Sequence, residues 1–139
     1  MKTKTQRILI DTSGGVQVID ITRQVQKLLA ESDLKEGLAT IFVPGSTATV
    51  TTIEYEPGLV ADITKALDRI APRDGHYEHD QRWHDGNGHS HVRASFLKPS
   101  VTIPFSNNAL MLGTWQQLVF IELDVRPRNR TIVVQLMGD

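Results

Sequence analysis

The chain contains no cysteine among its 139 residues, which excludes a disulfide framework, a thiolate zinc site and a cysteine nucleophile. No charge of one sign dominates either: 15 Lys and Arg stand against 16 Asp and Glu, for a formal net charge of -1. A chain so balanced sets up no overall field toward nucleic acid or an anionic membrane. Neither is an expected partner, and a ligand has to be recognised locally. Long apolar runs are also missing. The segment MKTKTQRILID has neither a signal-peptide core nor a stretch long enough to span a bilayer, so a cytoplasmic protein is expected. There is no internal repeat, linker or low-complexity segment. The length suits one domain, residues 1–139, able to bury about two-thirds of its unfolded surface.

What the chain does have is concentrated. All five histidines, His76, His79, His84, His89 and His91, fall in one short stretch, interleaved with Asp74, Glu78, Asp80, Asp85 and Asn87. Histidine changes charge near neutrality and is the commonest nitrogen ligand of Zn²⁺, so the stretch is a candidate site. Its internal position, uneven spacing and admixture of acids and Trp83 separate it from an expression tag.

Around this stretch the patterning is that of a mixed domain. Arg7 to Asp11 and Val16 to Asp20 alternate apolar and polar residues about Ser13-Gly14-Gly15, which predicts a hairpin. Asp20 or Thr22 can cap a helix in which Val25, Leu28 and Leu29 share a face. Leu38 to Val43 predicts a buried strand stopped by Pro44-Gly45, and Ala48 to Glu54 a second one. Leu59 to Ile70 predicts an amphipathic helix, with Val60, Ile63, Leu67 and Ile70 at helical spacing and Ala71-Pro72 ending it. Beyond the histidines, Val92 to Leu97, Ser100 to Phe105, Leu110 to Leu112, Gln117 to Val125 and Thr131 to Met137 predict strands. Two helices with about eight strands and short connections imply an α+β fold of mainly antiparallel, β-sandwich-like sheets, with the helices covering one face.

Chemistry can be set on this frame. If His89 and His91 open a strand, both rings point to one side with Cα atoms about 7 Å apart, and could share an ion or an anion. His79 would supply a third ligand through the turn at Asp85-Gly86-Asn87-Gly88. Such a set suits Zn²⁺ or another transition ion. Glu122 follows Leu118-Val119-Phe120-Ile121, apolar on both strand faces, so it belongs in or beside the core and needs a partner there. Glu54 ends a strand. Either acid is a candidate for acid/base work or ligation, and either has a plain structural reading, as a core ion pair or a turn opener. Pro44-Gly45-Ser46-Thr47 could cradle a phosphate with backbone N–H groups and hydroxyls, though it lacks the lysine and helix start of a P-loop. Gly113-Thr114-Trp115-Gln116 reads equally as a ligand loop or as a strand bulge with Trp115 in the core or a subunit contact. Arg126, Arg128 and Arg130 could clamp phosphate or serve solubility.

The run Tyr77-Glu78-His79-Asp80, then Asn87 through Ser95, then Thr102-Ile103-Pro104, then Leu112-Gly113-Thr114-Trp115-Gln116 and Glu122, resembles the YjbQ-like family. The family is described as secondary thiamine-phosphate synthase, and the likeness covers almost the whole chain. It implies a small α+β subunit that assembles as a homotrimer with clefts at subunit contacts, and a site lined by His79, His91, Glu54 and Glu122. One departure stands out. Many members resemble His-Thr-Ser/Thr-Ala where this chain has Gly45-Ser46-Thr47-Ala48, so a pocket histidine is missing here and His89 is a candidate to replace it.

Three functions follow as expectations. One is transfer of a pyrimidinylmethyl group from its diphosphate to a thiazole phosphate, as the resemblance implies. Another is metal-dependent hydrolysis of a small ester or phosphate, and the third is a non-enzymatic metal- or ligand-binding trimer. The residues expected to act are Glu54, His91 and Glu122 in catalysis and Ser46, Thr47, Asn87, Thr114 and Gln116 in binding a small, phosphorylated substrate. His79, His89 and His91 would hold a divalent metal, Zn²⁺ by preference or Mg²⁺ with a diphosphate substrate.

Overall fold

A computed structural model describes all of residues 1–139. Strand β1 (Lys2–Asp11) pairs antiparallel with β8 (Asn129–Gly138) along its full length, Lys2 opposite Gly138 and Asp11 opposite Asn129. On the far side of β8 lie β3 (Gly37–Phe42), β5 (Ser100–Ser106) and the short β6 (Ala109–Leu110), giving a five-stranded sheet in the order β1-β8-β3-β5-β6. A second sheet orders β2 (Gln17–Asp20), β7 (Gln117–Glu122) and β4 (Ala48–Ile53) as β2-β7-β4. Every pairing is antiparallel.

The alternation of side chains along β7 decides the layering. Leu118 and Phe120 join Ile41, Ile132, Val134 and Leu136 in the core between the sheets, and α1 (Thr22–Ala30) adds Val25 and Leu29. Val119, Ile121 and the following Leu123 point the other way, where they meet Leu67 of α2 (Pro57–Ile70) and Ala94 of α4 (Gly88–Leu97). β7 is therefore the middle layer, buried on both faces, which is why its sequence does not alternate. Each of those large apolar side chains stabilises the fold by about 1.5–3 kcal/mol relative to exposure.

The fold is α+β with sandwich-like antiparallel sheets, but it has four helices where the patterning predicts two. Glu78–Trp83 forms α3, and Gly88–Leu97, whose second half reads as a strand, is the helix α4. Its inward positions, Ser90, Arg93, Ala94 and Leu97, do recur at helical spacing. Two of the four are polar, so the apolar signal is masked. The expected hairpin about Gly14 is also absent. β1 and β2 enter different sheets, and Gly14, at φ 85°, makes the crossing because a Cβ there would lie 2.7 Å from the Arg126 carbonyl carbon. No helix is long and apolar enough to cross a membrane.

Candidate functional site

The histidine segment folds as α3, a loop and α4 against the second sheet. Gly88 opens α4 within reach of Tyr77, where a Cβ would stand 2.5 Å from the Tyr77 Cβ, and its N–H donates to Asp80 Oδ1 at 2.9 Å. This close approach brings His79 of α3 onto His91 of α4, with ring centroids 4.3 Å apart and planes tilted by 37°. His79 Nδ1 lies 3.4 Å from Asp85 Oδ1 and 3.5 Å from Asp80 Oδ1, yet it is buried and makes no hydrogen bond. Burial, and next the adjacent His79, hold the His91 imidazole below its usual pKa against the pull of Asp85, Asp124 and Asp80. His91 is thus neutral at neutral pH, available as a base or a ligand.

These rings form one wall of an open cleft of about 390 Å³. Ser46 and Thr47, from the loop between β3 and β4, and Arg128 and Arg130, from the segment running into β8, form the other. Exposed Trp83 stands at the rim. With its NH₂ turned toward Asp85, the Asn87 carboxamide donates to both oxygens of that carboxylate, at 3.0 and 3.2 Å.

The arginine wall is held from behind by buried acids. Arg130 donates through Nε to Glu122 Oε2 at 2.8 Å and through Nη2 to Oε1 at 2.5 Å, and Nη2 also reaches Thr47 Oγ1 at 2.9 Å. Arg128 donates to Asp124 Oδ2 through Nε at 2.9 Å and Nη2 at 2.6 Å. Burial alone pushes the Glu122 carboxyl up, but Arg130, Thr12 Oγ1 and the Asp124 amide together hold it below the carboxylate range. Asp124 follows the same pattern, burial being outweighed by Arg128, the Val125 amide and Thr47. Both acids are therefore ionised and fully engaged. Gly45 completes this wall: a Cβ there would sit 3.0 Å from Arg130 Nη1, so the missing side chain leaves that donor uncovered.

The structure thus brings together Ser46, Thr47, Asn87, His79 and His91, with Glu122 directly behind Arg130. It does not bring His89 with them. On a helix, residues two apart are about 200° apart around the axis, so His89 and His91 face different cavities rather than one ion. The shared-ion geometry read from a strand is corrected on this point. Glu54, Thr114 and Gln116 also lie outside the cleft within this chain. Glu54 is exposed, and Gln116 closes its own turn through Gly113 N–H at 3.0 Å and Thr52 Oγ1 at 3.1 Å. Sequence reasoning missed Asp124, although it continues the period of two from Phe120 and Glu122 on one face of the buried run.

A donor set for a cation is present. His79, Asp80 and Asp85 offer one ligand atom each within 4.8 Å of one another, with His91 stacked beside them. One imidazole with two carboxylates fits a divalent transition ion better than Mg²⁺, which favours all-oxygen sites.

Fold and site together define a small antiparallel α+β domain carrying a polar cleft of histidines and carboxylates opposite arginines. The chain belongs to the UPF0047 protein YjbQ-like family, whose profile matches residues 6–139. It is 39% identical over 138 residues to a UPF0047 protein of Methanothermobacter thermautotrophicus, covering 99% of this chain and 94% of the relative. Against the UPF0047 protein YugU of Bacillus subtilis it is 35% identical over 131 residues, covering 93% and 96%. Among solved structures, a hypothetical protein of Aeropyrum pernix K1 superposes with a TM-score of 0.91 at 32% identity, covering 98% of this chain and 99% of that one. A YbjQ-like protein of unknown function from Sulfolobus solfataricus P2 gives 0.89 at 31% identity, covering 99% and 100%.

Proposed function

We propose that the chain is a cytoplasmic small-molecule enzyme acting on a phosphorylated substrate in the His79–His91 cleft. The observation that carries the proposal is His79 Nδ1, buried without a hydrogen bond and facing two carboxylates, across from two arginines. Buried polar atoms are ordinarily satisfied, so an open one between acids calls for a bound group. A divalent ion, Zn²⁺ by preference, would be held by His79, Asp80 and Asp85, and would neutralise charge on a bound phosphate. Arg130 Nη1, uncovered at Gly45, and the Ser46 hydroxyl would orient the phosphate oxygens. His91, neutral and at the edge of the cation set, would accept a proton.

Thiamine phosphate synthesis is the finer reaction that the family resemblance implies. The C–O bond of the pyrimidinylmethyl diphosphate breaks, a C–N bond to the thiazole phosphate forms, and diphosphate departs. The arginine wall suits the departing anion. Incubation with both phosphorylated precursors should yield thiamine phosphate, and His91→Ala should abolish it. No product above the enzyme-free background would reject this reaction. Metal-dependent hydrolysis of a small phosphate or ester is the second reading, favoured by the neutral His91 beside the carboxylates. It requires metal-dependent turnover in a substrate panel. Ligand-induced stabilisation without turnover in either assay would identify a binding protein instead.

The proposal includes a homotrimer. Trp115 and Met111 are 72% and 62% exposed beside Thr114 and Gln116, an apolar surface that a neighbouring copy would cover. Such an assembly would let Glu54, Thr114 and Gln116 of one copy approach the cleft of the next, reconciling the family pattern with their distance from the cleft in a single chain.

A further inference from the structure

The face of α4 opposite His91 borders a second cavity of about 320 Å³, beneath α2 and next to the turn at Gly15. Its floor holds two polar side chains that are more than nine-tenths buried. His89 is 3% exposed, and its Nδ1 has no hydrogen-bond partner. Arg93 is 5% exposed and directs Nε to the Ala71 carbonyl at 3.0 Å and Nη2 to Asp68 Oδ1 at 3.3 Å, which leaves its Nη1 donors without a protein acceptor. Asp68 is a weak counterion, since its side chain is 66% exposed and the contact is long. Lys65 and Arg73 add two exposed cations at the rim. The other acid of the cavity, Asp124, is already engaged by Arg128 on the far side.

Taken together, three cations face one loosely held carboxylate and one acid neutralised elsewhere. An under-compensated buried guanidinium is costly unless an anion completes it. His89 lines the same floor, and its Nδ1 has no hydrogen-bond partner in the protein. We propose that this cavity is an anion-binding site, separate from the His79–His91 cleft, that takes the phosphate group of a small molecule between Arg93, Lys65 and Arg73. Val16, Leu123 and Val125 provide an apolar side for the organic part of such a ligand. A rim of cations kept only for solubility would not need Arg93 and His89 buried beneath it.

The test is a titration of the intact protein with inorganic phosphate followed by backbone NMR at constant ionic strength, with chloride as the control salt. The cleft also presents arginines, so the two regions are read separately: Thr64, Lys65, His89 and Arg93 report the cavity, and Ser46, Thr47, His91 and Arg130 report the cleft. Saturable shifts are expected in the cavity set. The rim variant Lys65→Ala/Arg73→Ala, which alters only exposed side chains, should weaken that set by about tenfold or more while leaving the cleft set unchanged. Shifts confined to the cleft, shifts reproduced by chloride, or a cavity affinity unmoved by the rim variant would each overturn the proposal. The outcome is independent of any activity in the cleft, so this site and the proposed enzymatic function fail or stand separately.

Discussion

Replacing Arg130 by Met removes the partner of an acid that has no access to water. Glu122 is 0% exposed, and Arg130 supplies two of the hydrogen bonds its carboxylate accepts, at 2.8 and 2.5 Å. Breaking a buried pair by deleting one member costs about 3–5 kcal/mol, because the remaining charge is left uncompensated. Here Glu122 still accepts from Thr12 Oγ1 at 2.7 Å and from the amides of Leu123 and Asp124 at 3.1 and 3.0 Å, which places the loss at the lower end, about 3 kcal/mol. For a domain of this size that is a fall in Tm of roughly 10 °C. The pH dependence gives a second handle. In the intact protein Glu122 and Asp124 have lowered folded pKa values. Their contribution is therefore complete above the unfolded carboxyl range of about 4 and is lost as pH falls through the folded values. Without Arg130, burial dominates and Glu122 takes up a proton more readily when folded than unfolded, so the deficit of the variant should shrink between neutral pH and mild acid. Urea unfolding of both proteins across that range measures this, and Glu122→Gln in the Arg130→Met background should recover most of the loss. A deficit under about 1 kcal/mol at neutral pH, or one unchanged by acid, would refute the argument that the pair is buried and interdependent.

Elemental analysis of purified protein should find a stoichiometric divalent metal that His79→Ala loses; metal retained by that variant would remove His79 from the ligand set. Glu56 caps α2 through the amides of Gly58, at 2.8 Å, and Leu59. Glu56→Ala should cost about 1 kcal/mol in chemical denaturation, and a change within error would show that the cap is inert. Trp115→Asp should convert a trimer to smaller species in size-exclusion chromatography with light scattering, since a charge replaces an exposed aromatic at the proposed contact. A mass identical to that of the unaltered protein would move the interface elsewhere.

Where burial follows a simple period, the sequence discloses the fold. Val60, Ile63 and Leu67 mark α2, and the observed helix adds only the capped turn at Pro57 and Gly58. The unbroken apolar run of β7 marks a strand buried on both faces, and Glu122 at its end has the partner that such burial demands. What the sequence conceals are the places where polar residues fill buried positions or where long-range pairing sets the path. Ser90 and Arg93 stand on the inward face of α4, so no apolar stripe announces a helix and His-x-His reads as a strand pair. Likewise, β1 and β2 look like a local hairpin, but their register is taken by β8 and β7, about a hundred residues or more away. The histidine cluster is legible by composition as a candidate site. Its division into two cavities is not, because that depends on helical rather than strand geometry at two residues.

The acids around the cleft fall into two groups by what their oxygens already touch, and this separates scaffold from chemistry. Glu122 and Asp124, on the strand side, accept from arginines, hydroxyls and backbone amides and stay ionised in the dry core. Asp85, on the helix side, has a half-exposed side chain and touches only Asn87 and the unpartnered His79 nitrogen. The two kinds of acid should therefore respond oppositely to removal of their charge. Glu122→Gln strands the Arg130 guanidinium, whose side chain is only 12% exposed, and should cost about 3 kcal/mol of stability while leaving the candidate cation ligands in place. Asp85→Asn sits at a site where surface substitutions change stability by under about 0.5 kcal/mol, yet it removes one of three candidate ligands. Paired measurements of unfolding free energy and bound metal on these two variants test the division directly. If Asp85→Asn destabilised the fold as much as Glu122→Gln, or kept its metal, the acids would not be partitioned in this way and the cation set would have to be sought among other residues.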